Sequence, residues 1–226
     1  LLRADRNRIG AVERLRLAIE KKERILIFGD YDVDGISGTA ILVHVLRELG
    51  AEVSYRLPNR QDGYGLNIAW IDEMTDRDVK LLITVDCGIS NVEEVRKASE
   101  AGLEVIVTDH HTIPENPPSD AVAILHPGMG YPFPYLSGSG VAFKFAVALM
   151  QSLRSAKEAQ VWRDKLVDLA SLGTVADCVP LIGENRWITK KGLEQMSQTD
   201  WKGLKTLLDK TGSQTIHGHD SDLIGF

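Results

Sequence analysis

Ile-Leu-Ile-Phe-Gly-Asp-Tyr-Asp-Val-Asp-Gly, residues 25–35, decides how the chain is read. It is a short apolar run, rich in β-branched residues, that ends directly on Asp30. Two later runs end the same way: Leu-Leu-Ile-Thr-Val on Asp86, and Glu-Val-Ile-Val-Thr on Asp109, which continues as His110-His111. Runs of this length and composition predict buried parallel strands. Open parallel α/β sheets bind ligands at the carboxyl ends of their strands. Three acidic clusters and two imidazoles are thus expected on one sheet edge. So many carboxylates crowd one small volume only if a cation offsets their repulsion.

The spacing predicts strands at 25–29, 52–56, 80–85, 103–108 and 121–125. Helices are expected at 8–22, 37–49, 67–75 and 91–101, the last closed by Gly102. The alternation indicates an α/β fold: a doubly wound, mostly parallel five-stranded sheet with flanking helices. Residues 112–137 hold six of the eight prolines and read mostly as ordered loop. A helical C-terminal part follows, with helices at 139–153, 157–173, 190–196 and 200–210. The expected organisation is a basic amphipathic helix over 1–24 and one catalytic domain over 25–226, divided into a sheet core (25–137) and a helical part (138–226). The chain opens without Met and closes on the apolar residues 222–226, so it reads as cut at both ends.

Composition is that of an ordinary soluble globular protein, 43% hydrophobic and 26% charged. No apolar stretch approaches the roughly 20 residues that span a bilayer, and no secretory leader opens the chain. Two cysteines, Cys87 and Cys178, offer neither a disulfide framework nor a CxxC zinc site, and a reducing cytoplasm is the expected location. Cys87 reads as a core residue facing away from Asp86. The net charge of −6 does not advertise nucleic-acid binding, but it is uneven: residues 1–24 carry +4 and the remainder −10. That basic segment reads as a solvated face or as a track for a nucleic-acid backbone.

Asp30, Asp32 and Asp34 alternate at spacing two, so an extended stretch would aim all three at one side, with Gly35 permitting a sharp turn into the next helix. Carboxylates suit Mg²⁺ or Mn²⁺, and an added imidazole favours Mn²⁺. A calcium EF-hand is excluded, because its twelfth loop position falls on Ile41. Asp86 and Asp109 also read individually as helix caps after a strand. Asp177, within Leu-Gly-Thr-Val-Ala-Asp (172–177), reads equally as a metal ligand or as a surface carboxylate at a helix end.

Four stretches in order resemble the motifs of the DHH phosphoesterase superfamily: Asp30 to Gly35, Val85 to Gly88, Asp109 to His111, and Leu172 to Asp177. The first of them, with residues 59–65 and 137–144, most resembles the RecJ branch of 5′→3′ single-strand-specific DNA exonucleases. That resemblance implies a two-metal hydrolase with Mn²⁺ or Mg²⁺ as cofactor. Asp30, Asp32 and Asp86 would hold one ion; Asp34, Asp86, His110 and Asp177 would hold the other. Asp109 would orient an imidazole, and His111 would face the phosphate. Related pyrophosphatases carry a histidine where Phe28 stands, so the first ion would lean more on Asp30. The branch usually has Asn before Pro where His126 stands, and His126 reads as a surface loop residue.

On the substrate side, Arg60, Tyr64 and Asn67 occupy the loop after the second strand. Arg binds phosphate bidentately and Tyr stacks on bases. Ser139 and Lys144 lie at a glycine-flanked helix start that either binds phosphate or is only a capped turn. The resemblance implies single-stranded DNA as partner, a helicase and a single-strand-binding protein as further partners, and work in DNA repair and recombination. Two other readings are a phosphodiesterase for short oligonucleotides or cyclic dinucleotides, and a non-catalytic replication-associated relative. RecJ-like proteins carry further strand-gripping domains, so this chain is expected to bind metal but to degrade DNA weakly.

Overall fold

The computed structural model describes residues 2–211; the expected apolar end at 222–226 lies outside them. The chain runs α1 (Leu2–Glu20), β1 (Arg24–Gly29), α2 (Val33–Glu48), β2 (Glu52–Arg56), α3 (Ile68–Asp76), β3 (Val79–Val85), α4 (Val92–Glu100), β4 (Glu104–Thr108), β5 (Ala123–Leu125), α5 (Gly138–Leu153), α6 (Ala156–Ala176), α7 (Gly183–Met196) and α8 (Lys202–Thr211). A single 3₁₀ turn, Arg60–Asp62, interrupts the β2–α3 connection. The five strands form one sheet in the order β2-β1-β3-β4-β5, every pair parallel. From β1 the chain winds outward to β2, and from β3 it winds the other way to β4 and β5. The loops leaving β1 and β3 therefore diverge and open a crevice between them.

Both sheet faces are covered over the central strands, which is why β1, β3 and β4 are nearly continuous apolar runs, whereas the edge strand β2 is mostly exposed. Ile25, Ile27, Leu81, Ile83 and Ile106 share a core with α2, α5 and α6. Leu26, Phe28, Leu82, Val105 and Val107 face the other way, onto Ile71 and Met74 of α3 and Val95 and Ala98 of α4. Phe28 is fully buried there against Trp70, with ring centroids 5.1 Å apart. Helix α1 joins the larger core through Ala11, Leu15 and Ala18. Among the described residues no helix is long and apolar enough to cross a membrane.

Three helix starts differ from expectation by four residues or more, and α1 is one of them, beginning at Leu2 rather than 8. Helix α2 begins at Val33 rather than 37, because Asp32 acts as its N-cap and accepts the Gly35 N–H at 2.9 Å. Asp34 therefore lies in the first helical turn, and strand alternation does not align the three aspartates. Gly35 makes no sharp turn; it is glycine because a β-carbon there would lie 2.6 Å from the Asp30 carbonyl oxygen. Helix α7 starts at Gly183, well before 190. Pro180 and Gly183 look like breakers in sequence, yet they fall before the helix and at its first residue, where neither interrupts the hydrogen-bond ladder.

Candidate metal centre

Asp30, Asp86 and Asp109 each occupy the position just past a strand, and each continues the ladder onto its neighbour. Asp30 N–H donates to Val85 O at 3.1 Å, Asp86 N–H to Thr108 O at 3.0 Å, and Asp109 N–H to Leu125 O at 3.2 Å. The sheet itself thus sets the height of all three carboxylates, and all three are buried. Asp86 takes a left-handed backbone (φ 62°), a conformation that costs a non-glycine residue energy and concentrates at functional sites. Asp34 arrives from the first turn of α2, and Asp177 from the C-cap of α6.

These residues converge in overlapping trios. Asp30, Asp32 and Asp86 offer ligand atoms within 4.8 Å of one another; so do Asp34, His110 and Asp177, and so do Asp86, His110 and His111. His110 Nε2 lies 3.1 Å from Asp86 Oδ1, 3.5 Å from Asp177 Oδ2 and 4.0 Å from Asp34 Oδ2. Asp30 Oδ1, Asp86 Oδ1, His110 Nε2 and Asp177 Oδ2 are buried and find no hydrogen-bond partner among the described residues. Native proteins rarely bury such atoms unsatisfied unless an ion or water completes them. The contrast is Asp168, equally buried, whose carboxylate accepts from Thr199 Oγ1 (2.6 Å), Trp201 Nε1 (3.0 Å) and its neighbour's N–H (2.7 Å). Asp168 is a structural tie, whereas the crevice carboxylates are aimed at something else. The donor set, carboxylate oxygens with one imidazole, fits Mg²⁺ or Mn²⁺.

Glycines clear the space. A β-carbon on Gly138 would lie 2.5 Å from Asp86 Oδ1, and one on Gly173 would lie 2.5 Å from Asp34 Oδ1. The Gly138 and Ser139 N–H groups donate to Asp34 at 2.6 and 3.0 Å. The anion at the α5 N-terminus is therefore the Asp34 carboxylate, where a phosphate was one expectation.

Electrostatics follow from burial. Burial, then Asp34 and Asp32, push the Asp86 carboxyl up to about 10. Burial, then Asp34, raise Asp177 to about 6. Asp30 and Asp34 are raised as well, burial being the main cause in both. Cations bound in the crevice would replace these protons.

Asp109 behaves oppositely. Burial works to raise it, but hydrogen bonds from the His111 ring and from Ile89 and His111 N–H groups outweigh burial and leave it below its ordinary value. Its Oδ1 lies 2.8 Å from His111 Nδ1, and that contact raises the His111 pKa. Tyr64, read as a base-stacking residue, also places its hydroxyl 3.0 Å from His111 Nδ1 and 3.2 Å from the Asp86 carbonyl. Tyr64 as a residue is 49% exposed, and its ring meets the His111 ring edge-on with centroids 5.4 Å apart.

The other expected substrate residues separate. Arg60 lies over the Tyr31 ring at 5.7 Å, and among the described residues no carboxylate pairs with it. Asn67 caps α3 through Oδ1, accepting Trp70 N–H at 3.0 Å. Ser139 is fully buried and donates to Ala170 O at 3.3 Å, so its hydroxyl is closed to substrate. Lys144 is paired with Glu184 at 2.8 Å and lies over Tyr131. It lines an apolar cavity of about 180 Å³ with Met129 and Phe145. His126 is not a surface residue. It is 8% exposed, with Nε2 2.7 Å from His111 O. The signal for its burial was its place directly after an apolar run, at the end of β5.

Comparison with known proteins places these observations in a family. The model for the DHH family, N-terminal domain, matches residues 24–174. The single-stranded-DNA-specific exonuclease RecJ of Bacillus subtilis is 43% identical over 96% of this chain; the chain spans 27% of that protein's length. A crystal structure of exonuclease RecJ bound to manganese superposes with a TM-score of 0.86 at 37% identity, covering 97% of this chain and 54% of that one. Thermus thermophilus RecJ in complex with Mn²⁺ superposes at 0.82 with 36% identity, covering 97% of this chain and 31% of that one.

Proposed function

The chain belongs to the DHH family, and from that premise we propose that it hydrolyses phosphodiester bonds of single-stranded DNA from the 5′ end, with two Mn²⁺ or Mg²⁺ ions as cofactor. The observation that carries this reading is the set of buried ligand atoms on Asp30, Asp86, His110 and Asp177, unpartnered among the described residues, at the sheet's switch point. The likeness to RecJ exonucleases along nearly the whole chain supports the substrate class.

Asp30, Asp32 and Asp86 would hold one ion; Asp34, His110 and Asp177 would hold the other, with Asp86 reaching both. Ions there supply charge to offset the phosphoryl oxygens and lower the pKa of an attacking water. The chain's own residues do the rest. Asp109 holds His111 through Nδ1 and favours its protonated form. Nε2 is then the ring atom left to donate to a phosphoryl or leaving oxygen. Arg60, stacked on Tyr31, binds a backbone phosphate, and the half-exposed Tyr64 stacks on a base. A buried, satisfied Asp109 keeps this geometry before substrate arrives.

The test incubates the purified chain with Mn²⁺ and a 5′-phosphorylated single strand. Slow release of mononucleotides from the 5′ end is expected, since the chain spans only part of its relatives' length. Preference for dinucleotides over long strands would replace the substrate, and no hydrolysis of any phosphodiester would contradict the reading.

A further inference from the structure

The loop that carries His110 and His111 has no regular structure of its own, so its shape depends on what holds it. Asp109 Oδ1 accepts the N–H groups of His110 at 2.7 Å and His111 at 3.1 Å, which anchors the near end. The far end is held from β5. The β4–β5 ladder reaches Asp109 N–H on Leu125 O. In a parallel ladder the next rung would bring the N–H of residue 127 to the Asp109 carbonyl. Residue 127 is proline and has no N–H to give.

The side chain of His126 takes over beyond that point. Met129 N–H donates to His126 O at 3.0 Å, closing a turn with Pro127 at its second position, where proline is favoured. Gly128 N–H donates to His126 Nδ1 at 3.0 Å. A backbone N–H can only donate, so Nδ1 is the bare nitrogen and the proton sits on Nε2. Nε2 then donates to the His111 carbonyl at 2.7 Å. The ring is buried, its tautomer is dictated from one side, and its one donor is spent on the backbone of the residue expected to face the phosphate.

We infer that His126 is a positioning residue: by pinning the His111 backbone from β5 it fixes where the His111 imidazole stands beside the metal crevice. This rests on the functional reading above. It is also distinct from it, because His126 touches no ligand atom of the crevice.

The test compares three chains. His126→Phe keeps a ring and removes both hydrogen bonds. His126→Gln puts an N–H donor at the same bond separation from Cα as Nε2. With Mn²⁺ and a 5′-phosphorylated single strand, we expect kcat of His126→Phe to fall about 10-fold or more, in the range seen when outer supporting partners of a metal site are lost. KM should stay within about two-fold. His126→Gln should recover most of the rate. In metal-free protein, amide hydrogen exchange at 110–112 should quicken in the Phe variant and return toward wild type in the Gln variant. Should His126→Phe fail to fold, His126→Leu carries the same comparison. Wild-type kcat in the Phe variant, unchanged exchange, or a loss that Gln does not restore would overturn the inference. A wild-type chain that hydrolyses nothing would sink the functional reading instead, and the exchange comparison would still decide whether His126 pins the loop.

Discussion

Nε2 of His110 lies 3.1 Å from Oδ1 of Asp86, and neither atom finds a hydrogen-bond partner among the described residues. Two buried polar atoms that approach without satisfying each other are arranged for a third party. Asp86→Asn preserves the shape and removes the charge at the one residue assigned to both ions. Calorimetric titration with Mn²⁺ should show both sites weakened by at least about 10-fold. His110→Ala removes a ligand only of the ion assigned to Asp34, His110 and Asp177, so the site at Asp30 and Asp32 should stay near wild-type affinity. Equal loss in both variants would contradict the shared role of Asp86.

Gly138 is the first residue of α5, where helix propensity alone says alanine should be harmless or better. A β-carbon there would meet Asp86 Oδ1 at 2.5 Å. Gly138→Ala should therefore destabilise the fold by about 1–3 kcal/mol, the usual cost of overpacking, and should weaken Mn²⁺ binding. Denaturant melts with and without Mn²⁺ check both. A stabilised variant with unchanged affinity would show that the cradle is looser than described.

The strand-end aspartates and their common edge were legible in sequence, because an all-parallel sheet turns three apolar runs into three neighbouring strand ends. Asp177 was half legible: its apolar surroundings pointed inward, but only the packing of α6 against α2 decides that it meets Asp34 and His110. Asp34 was placed by the wrong geometry, since a helix cap at Asp32 is hard to tell from an extended DxDxD run. The Ser139 hydroxyl and Lys144 looked available for phosphate. Their partners, Ala170 and Glu184, lie 31 and 40 residues away and no local pattern announces them. His126 was half legible: its place after an apolar run signals burial, but no local pattern announces its bond to His111, 15 residues away.

The metal-free chain should lose stability as pH rises. Asp86, Asp177, Asp30 and Asp34 all have folded pKa values above their ordinary ones. Stability tied to such groups is fully present below the unfolded value near 3.8 and is lost as pH climbs through the folded value: about 6 for Asp177 and about 10 for Asp86. Thermal melts between pH 5 and pH 9 should show a falling Tm without metal. The increase in Tm on adding Mn²⁺ should grow over the same range, because the ion competes with fewer protons. A Mn²⁺ effect that shrinks as pH rises would contradict this.

Asp109 holds the His111 pKa up, so the alkaline limb of the rate profile should lie above the ordinary histidine value of 6.5. Asp109→Asn removes that support. The limb should move to lower pH, and kcat should fall about 10- to 100-fold. A rate profile whose alkaline limb stays in place would remove His111 from the proton-donating role.

Arg60 is stacked on Tyr31 without a carboxylate partner among the described residues. Arg60→Ala should raise KM for a 5′-phosphorylated single strand several-fold and leave Mn²⁺ affinity unchanged. Steady-state kinetics beside calorimetry separate the two. A fall in kcat at constant KM would place Arg60 at the reacting phosphate rather than along the backbone.

The most direct measurement is the anomalous scattering of a crystal of this chain soaked in Mn²⁺. Two peaks should appear in the crevice between β1 and β3, one against Asp30 and Asp32, one against Asp34, His110 and Asp177, with the Asp86 carboxylate between them. No peak in that crevice, or peaks that do not touch Asp86, would contradict a two-metal centre built on this sheet edge.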